Sequence, residues 1–210
     1  MRKLLIIIVS ILALGSYVWL QAEESGNKNH TGNENVEVAT FAGGCFWCMQ
    51  PPYDKLDGIV KTTVGYTGGP EKNPTYKQVS YGKTGHTESI EITYDPDTIS
   101  YDELLQVFWM NIDPTDSGGQ FVDRGKQYRP AIFYHNESQK KAAEESKEKL
   151  DKSGRFHKPV VVEITEASEF YPAEEYHQMF YKKDKLTYKT YRIGSGRDQF
   201  IEKHWGKQDS

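Results

Sequence analysis

The stretch Val36-Glu37-Val38-Ala39-Thr40-Phe41-Ala42-Gly43-Gly44-Cys45-Phe46-Trp47-Cys48 decides how the rest of the chain is read. Val36 to Phe41 is apolar and β-branched and runs into a double glycine, which predicts a strand closed by a flexible turn. Cys45 to Leu56 reads as a helix stopped at Gly58, although Pro51 and Pro52 sit awkwardly inside it. Ile59 to Tyr66 is a second strand, ended by Gly68-Gly69-Pro70. Asn73 to Tyr81 is a loop or short helix. In Thr87 to Tyr94, Ile90 and Ile92 alternate with Glu91 and Thr93, which predicts a third strand.

Further on, Ser100-Tyr101-Asp102-Glu103 has the form of a capping box. It opens a helix that carries Leu104, Leu105, Val107, Phe108 and Trp109. Ser117 to Tyr128 is polar and contains glycine, hence a loop. Ala131 to Tyr134 is a fourth strand. Glu137 to Ser153 is a charged helix with Asn136 as its cap and Glu-to-Lys pairs such as Glu148 with Lys152. Val160 to Ile164 is a fifth strand, and from Phe170 the chain reads as aromatic, basic coil. The order of elements predicts an α+β two-layer sandwich, a mixed sheet covered by helices, with a coil-rich C-terminal region.

The N-terminus stands apart. Arg2 and Lys3 precede an apolar run from Leu4 to Leu20. Residues 1–22 therefore read as a signal peptide with a weak cleavage site at Leu20-Gln21-Ala22, or as a membrane anchor, since the run is just long enough to span. Both readings put the remainder on the extracytoplasmic side. Residues 23–35 contain no apolar side chain and form a polar linker. The folded domain is expected over 36–200, with a tail at 201–210. The net charge is −4 without a basic stripe, which argues against a nucleic-acid partner.

Cys45 and Cys48 are the only cysteines of the chain. Their i, i+3 spacing puts both on one helix face. Three readings remain at this level. A structural disulfide suits an exported protein, but so short a loop constrains the unfolded chain very little. A metal site would need further ligands, and the histidines show no zinc-like spacing. A redox pair is favoured by placement, because a thiol at a helix N-terminus is acidified and a second thiol stands by.

Gly43-Gly44-Cys45-Phe46-Trp47 resembles the active-site motif of the A-type peptide methionine sulfoxide reductases. Gly65-Tyr66-Thr67-Gly68-Gly69, Asn73-Pro74-Thr75-Tyr76 and Gly85-His86-Thr87-Glu88 resemble that family's following segments, in order. Leu104 to Trp109, Asp113-Pro114, Gln127-Tyr128-Arg129, Tyr171-Pro172-Ala173-Glu174 and Tyr176-His177-Gln178 continue the likeness. It covers the chain from about Val36 to Tyr181.

The resemblance implies ferredoxin-like elements in the sandwich and reduction of the S-epimer of methionine sulfoxide, free or in oxidised proteins and peptides. It implies Cys45 as the nucleophile and Glu88 as the acid that protonates the sulfoxide oxygen. Tyr76 and Tyr128 would donate hydroxyls to that oxygen, Asp123 would orient the site, and Phe46 and Trp47 would hold the substrate methyl. By pattern alone, Glu88 is an outward strand residue paired with a lysine, and nothing selects the two tyrosines. Glu174 and His177 are expected in a supporting hydrogen-bond network.

Many family members carry resolving cysteines in a C-terminal tail. Tyr181 to Ser210 has none, which leaves Cys48 to close a disulfide on the Cys45 sulfenic acid. The implied partner is an external thioredoxin-like dithiol reductant. No bound cofactor or metal is implied, and a monomer is expected. The competing functions are direct thiol–disulfide exchange by the Cys-x-x-Cys pair and a non-enzymatic binding module with a structural bridge.

Overall fold

Alternation along the central strands decides which side chains meet the helices. The computed structural model describes residues 35–207; the expectations for residues 1–22 and the linker up to residue 34 lie outside them. β1 (Glu37–Ala42) lies between β3 (Thr87–Tyr94) and β6 (Ala131–Tyr134), antiparallel to both. β2 (Ile59–Thr67) pairs antiparallel with the far side of β3, and β8 (Tyr171–Pro172) with β2. β7 (Glu163–Glu166) adds parallel to β6, so the sheet runs β7-β6-β1-β3-β2-β8 and is mixed. This is the α+β architecture expected.

Ala39 and Phe41 of β1 share one cluster with Ile90, Ile92 and Tyr94 of β3. Helices α1 (Phe46–Asp54), α3 (Tyr101–Met110) and α4 (Glu137–Lys152) bury Met49, Tyr53, Leu104, Phe108, Ala143 and Leu150 in that cluster. Phe41 stacks on Phe108 with centroids 5.1 Å apart. Removing either ring would cost about 3–5 kcal/mol. The Ser100 hydroxyl accepts from Glu103 N–H and the Glu103 carboxylate from Ser100 N–H, completing the capping box that opens α3. Thr75 and Gln78 make a second capping box for α2 (Tyr76–Ser80).

The fifth strand begins later than expected, at Glu163 rather than Val160. Val160 and Val162 are buried, but Val161 N–H donates to the Pro114 carbonyl outside the sheet. The loop expected at Ser117–Tyr128 contains a small hairpin, β4 (Gly119–Gln120) and β5 (Asp123–Arg124).

The expectation of coil from Phe170 onward fails at Phe180. From there the chain forms α5 (Phe180–Lys183), α6 (Lys185–Gly194) and α7 (Arg197–Trp205). Asp184 caps α6 by accepting from Thr187 N–H at 3.0 Å. Tyr188, Tyr191, Arg192 and Ser195 fall at i, i+3, i+4 and i+7, and this stripe is the less exposed face of α6. Its members are polar-tipped rather than aliphatic, so the period does not show as hydrophobicity. The domain boundary expected at residue 200 falls inside α7, whose Trp205 packs against the main core.

Candidate active site

Gly44 holds a left-handed conformation at φ +79°, and a Cβ there would lie 2.5 Å from Cβ of Gln120. Only glycine turns the chain here without strain. The turn delivers Cys45 to the N-cap position of α1, with Phe46 as the first helical residue. Cys45 is 6% exposed and Cys48 is fully buried. Both thiols are free.

The first free amide of α1, Phe46 N–H, donates to Oε2 of Glu88 at 3.1 Å. Glu88 shares the strand parity of Ile90 and Ile92 and is 2% exposed. The outward, lysine-paired reading of Glu88 is therefore overturned. Burial pushes its carboxyl up to about 8; the Phe46 N–H opposes this, and the charges of Asp123 and Cys48 add to it. At neutral pH the group is a carboxylic acid able to donate a proton.

Tyr76 and Tyr128 are half-buried, and both are held protonated by burial and by the charge of Glu88. For Tyr76 the rise is to about 12. Asp123, at the start of β5, is raised by burial and accepts a hydrogen bond from the Tyr191 hydroxyl. Tyr191 also hydrogen-bonds the Cys45 thiol.

Phe46 and Trp47 divide the work expected of them. Phe46 is buried against Tyr66 and His177, with centroids at 6.1 and 5.1 Å. Trp47 is only half-buried, stacks on Phe180 at 3.9 Å and meets the ring of Tyr191 edge-on at 6.0 Å. Trp47 Nε1–H donates to Nδ1 of His177 at 3.1 Å. Burial lowers His177 to about 4, so the ring is neutral, with its proton on Nε2. The Glu174 carboxylate accepts from Tyr66 OH at 2.8 Å and from Tyr76 N–H at 2.9 Å. The expected supporting network is thus present, and it fixes the start of α2.

The acidification expected of Cys45 at the helix N-terminus is not what the surroundings favour. Burial pushes the Cys45 thiol up, and the hydrogen bond and charge of Cys48 add to the rise. The Cys48 thiol is pushed down by the hydrogen bond from Cys45, then by the charges of Arg197 and Arg192, against burial. The two thiols titrate together, and the arginine charges make Cys48 the more acidic of the pair.

Every site residue expected from the sequence lies in this one region. Tyr191, Arg192, Arg197 and Phe180 were not expected, because they belong to the helices read as coil. One local signal pointed to Arg192. Pro52 has no N–H, so the Cys48 carbonyl four residues back loses its helical partner. Arg192 Nη1 donates to that carbonyl at 3.1 Å.

A family model described as peptide methionine sulfoxide reductase matches residues 37–209. The peptide methionine sulfoxide reductase MsrA of Bacillus licheniformis is 58% identical over 175 residues, 83% of this chain and 97% of that protein. The Listeria monocytogenes serotype 4a protein of the same name is 60% identical over 172 residues, 82% and 97% of the two chains. Among solved structures, reduced Mxr1 from Saccharomyces cerevisiae superposes with a TM-score of 0.69 at 33% identity, covering 74% of this chain and 89% of that one. Methionine sulfoxide reductase A of Corynebacterium diphtheriae gives 0.65 at 33% identity, covering 74% and 78%. Mxr1 has also been solved in complex with Trx2; that structure is 24% identical with a TM-score of 0.50, covering 71% and 87%.

Proposed function

The chain belongs to the peptide methionine sulfoxide reductase A family and is a peptide-methionine (S)-S-oxide reductase, and on that premise we propose how its residues divide the reaction. Glu88, held protonated in its buried place, gives its proton to the sulfoxide oxygen, with the Tyr76 and Tyr128 hydroxyls as further donors. Cys45 attacks the sulfoxide sulfur as its own proton passes to Cys48. The hydroxyl passes to Cys45, methionine leaves, and Cys45 is oxidised to a sulfenic acid. Trp47, backed by Phe46, receives the substrate methyl.

Cys48 then closes a Cys45–Cys48 disulfide, which a thioredoxin-like dithiol reduces in the next half-cycle. The capture of yeast Mxr1 with Trx2 supports that class of donor. Basic residues before an apolar N-terminal run support a workplace outside the cytoplasm, where oxidised methionines of exported proteins are the substrates.

The observation that carries this reading is the hydrogen bond from Phe46 N–H to Glu88, which sets a buried acid beside the residue next to Cys45. The test is a reduction assay with resolved sulfoxide epimers, run beside insulin disulfide reduction. The expected result is turnover of the S-epimer alone. Insulin reduction without sulfoxide reduction would instead make the chain a direct thiol–disulfide oxidoreductase.

A further inference from the structure

Two arginines of the C-terminal helices converge on the first turn of α1. Arg192 docks on the Cys48 carbonyl, and its Nε is held from outside by Asp198 at 2.7 Å. Arg197 is 1% exposed. Its guanidinium donates to the carbonyls of Gly43, at 2.9 Å, and Asn111, touches Sδ of Met49 at 3.6 Å and covers the ring of Phe121. Among the described residues it makes no salt bridge with a carboxylate. A guanidinium this deeply buried calls for a nearby anion. Two acidic groups lie within reach of its charge, the Asp123 carboxylate and the Cys48 thiol of the first turn of α1.

We infer that Arg192, anchored on the carbonyl that Pro52 leaves unpartnered, is a positioning residue that readies Cys48 as the resolving nucleophile, with Arg197 as the fixed charge behind it. The inference rests on the disulfide reading above and extends it. The groups facing Cys48 are Cys45 from its own helix, Glu88 from β3, Tyr188, Tyr191 and Arg192 from α6, and Arg197 and Asp198 from α7. Asp198 is held by Arg192 and Asp123 lies by Arg197, and both arginine charges act to lower the Cys48 thiol.

In the step itself, an electron pair of the Cys48 thiolate attacks Sγ of Cys45. The S–S bond forms and the S–O bond breaks. The hydroxyl leaves as water, taking up the proton that Cys48 gave up. Cys45 has already been oxidised by the sulfoxide, so no further oxidant is needed. The C-terminal helices thus contribute charge to a thiol on α1, in a chain whose C-terminal region has no thiol of its own.

The experiment is a single turnover without reductant, in wild type, Arg192→Gln and Arg192→Lys, across a range of pH. Methionine release and disulfide closure are read separately, the latter by mass after alkylation. In Arg192→Gln the ratio of closure to release is expected to fall about tenfold near about pH 6.5, with the closure profile moved up by about one pH unit. Arg192→Lys, which keeps the charge, should recover most of both. An unchanged ratio and profile in Arg192→Gln, or a Lys variant as impaired as the Gln variant, overturns the inference.

The Cys45→Ser protein supplies a measurement that leaves the arginines in place. Thiolate absorbance there should show Cys48 ionising well below an ordinary thiol, which titrates at about 8.5. Ionisation at or above that value also overturns the inference. Wild type that releases methionine with no disulfide fails the resolving reading itself, and no methionine release fails the reductase mechanism.

Discussion

Phe46 N–H donates to Oε2 of Glu88 at 3.1 Å, so the acid and the nucleophile are held by adjacent residues of one helix start. The two partners are far apart in sequence, and the bond joins β3 to α1 across the core. It also explains why Glu88 can be both buried and satisfied. A carboxyl pushed up to about 8 donates a proton at neutral pH and loses that ability as pH rises through this value.

The single-turnover rate of methionine release should accordingly be flat near neutrality and decline above about pH 8. Glu88→Gln should lower it by about 10²–10⁴-fold and remove the alkaline limb. Stopped-flow or quenched-flow release across pH checks this. A Gln variant with the wild-type limb would assign the limb to another group.

The same group makes a stability prediction of definite sign. Its folded value is raised from 4.5 to about 8, so the folded state binds the extra proton. The contribution of that proton is fully present below about 4.5 and is lost as pH rises through about 8. Wild type should therefore lose melting temperature between mildly acidic pH and pH above 8, relative to Glu88→Gln. Parallel melting curves for the two proteins would show the gap opening as pH rises; a gap that widens toward acid contradicts the assignment.

Tyr191 touches both sides of the site, through the Cys45 thiol and the Asp123 carboxylate. Tyr191→Phe keeps the ring against Trp47 and removes only the hydroxyl. First-turnover methionine release should slow by about tenfold, the loss of one hydrogen bond to a charged or reacting group at about 1.5 kcal/mol. Equal rates for the two proteins would make α6 a cover rather than a part of the site.

Trp47 remains partly open beside Cys45, held by Phe180 and His177. Trp47→Ala should lower kcat/KM by about 10–100-fold, the value of an aromatic contact of about 1.4–2.8 kcal/mol. Steady-state kinetics with free and peptide-bound methionine sulfoxide measure it. An unaffected kcat/KM would place the methyl elsewhere.

Much of the fold and site is legible in the residues themselves. Alternation in Thr87–Tyr94 locates β3, and the same parity, carried back from Ile90 by two residues, faces Glu88 inward. That parity is persuasive for the isoleucines and weak for the acid, because a lone glutamate is ordinarily a solvated strand residue. The capping box at Ser100 locates α3 to the residue. Tyr76 and Tyr128 come only through resemblance, since the short helix that starts at Tyr76 and the 3-10 turn that ends at Tyr128 are too brief to show a period. The C-terminal helices escape a sequence reading for a physical reason. The less exposed stripe of α6 and its cap, Tyr188-Tyr191-Arg192-Ser195, serves a polar site, so it lacks the aliphatic signature of a core-facing helix. Leu186 and Ile193, the aliphatic residues of α6, are exposed. The acidity of Cys48 is hidden with them, because both arginines that favour it lie on those helices.

The most direct test is stoichiometric. Fully reduced protein is mixed with excess resolved methionine-S-sulfoxide and no reductant, and methionine, free thiols and intact mass are measured together. The expected outcome is one methionine per chain, loss of both thiols and a Cys45–Cys48 disulfide, with Cys48→Ser still yielding one methionine but leaving a trappable sulfenic acid. Full methionine release from Cys45→Ser, or thioredoxin-driven turnover of Cys48→Ser equal to wild type, would contradict it.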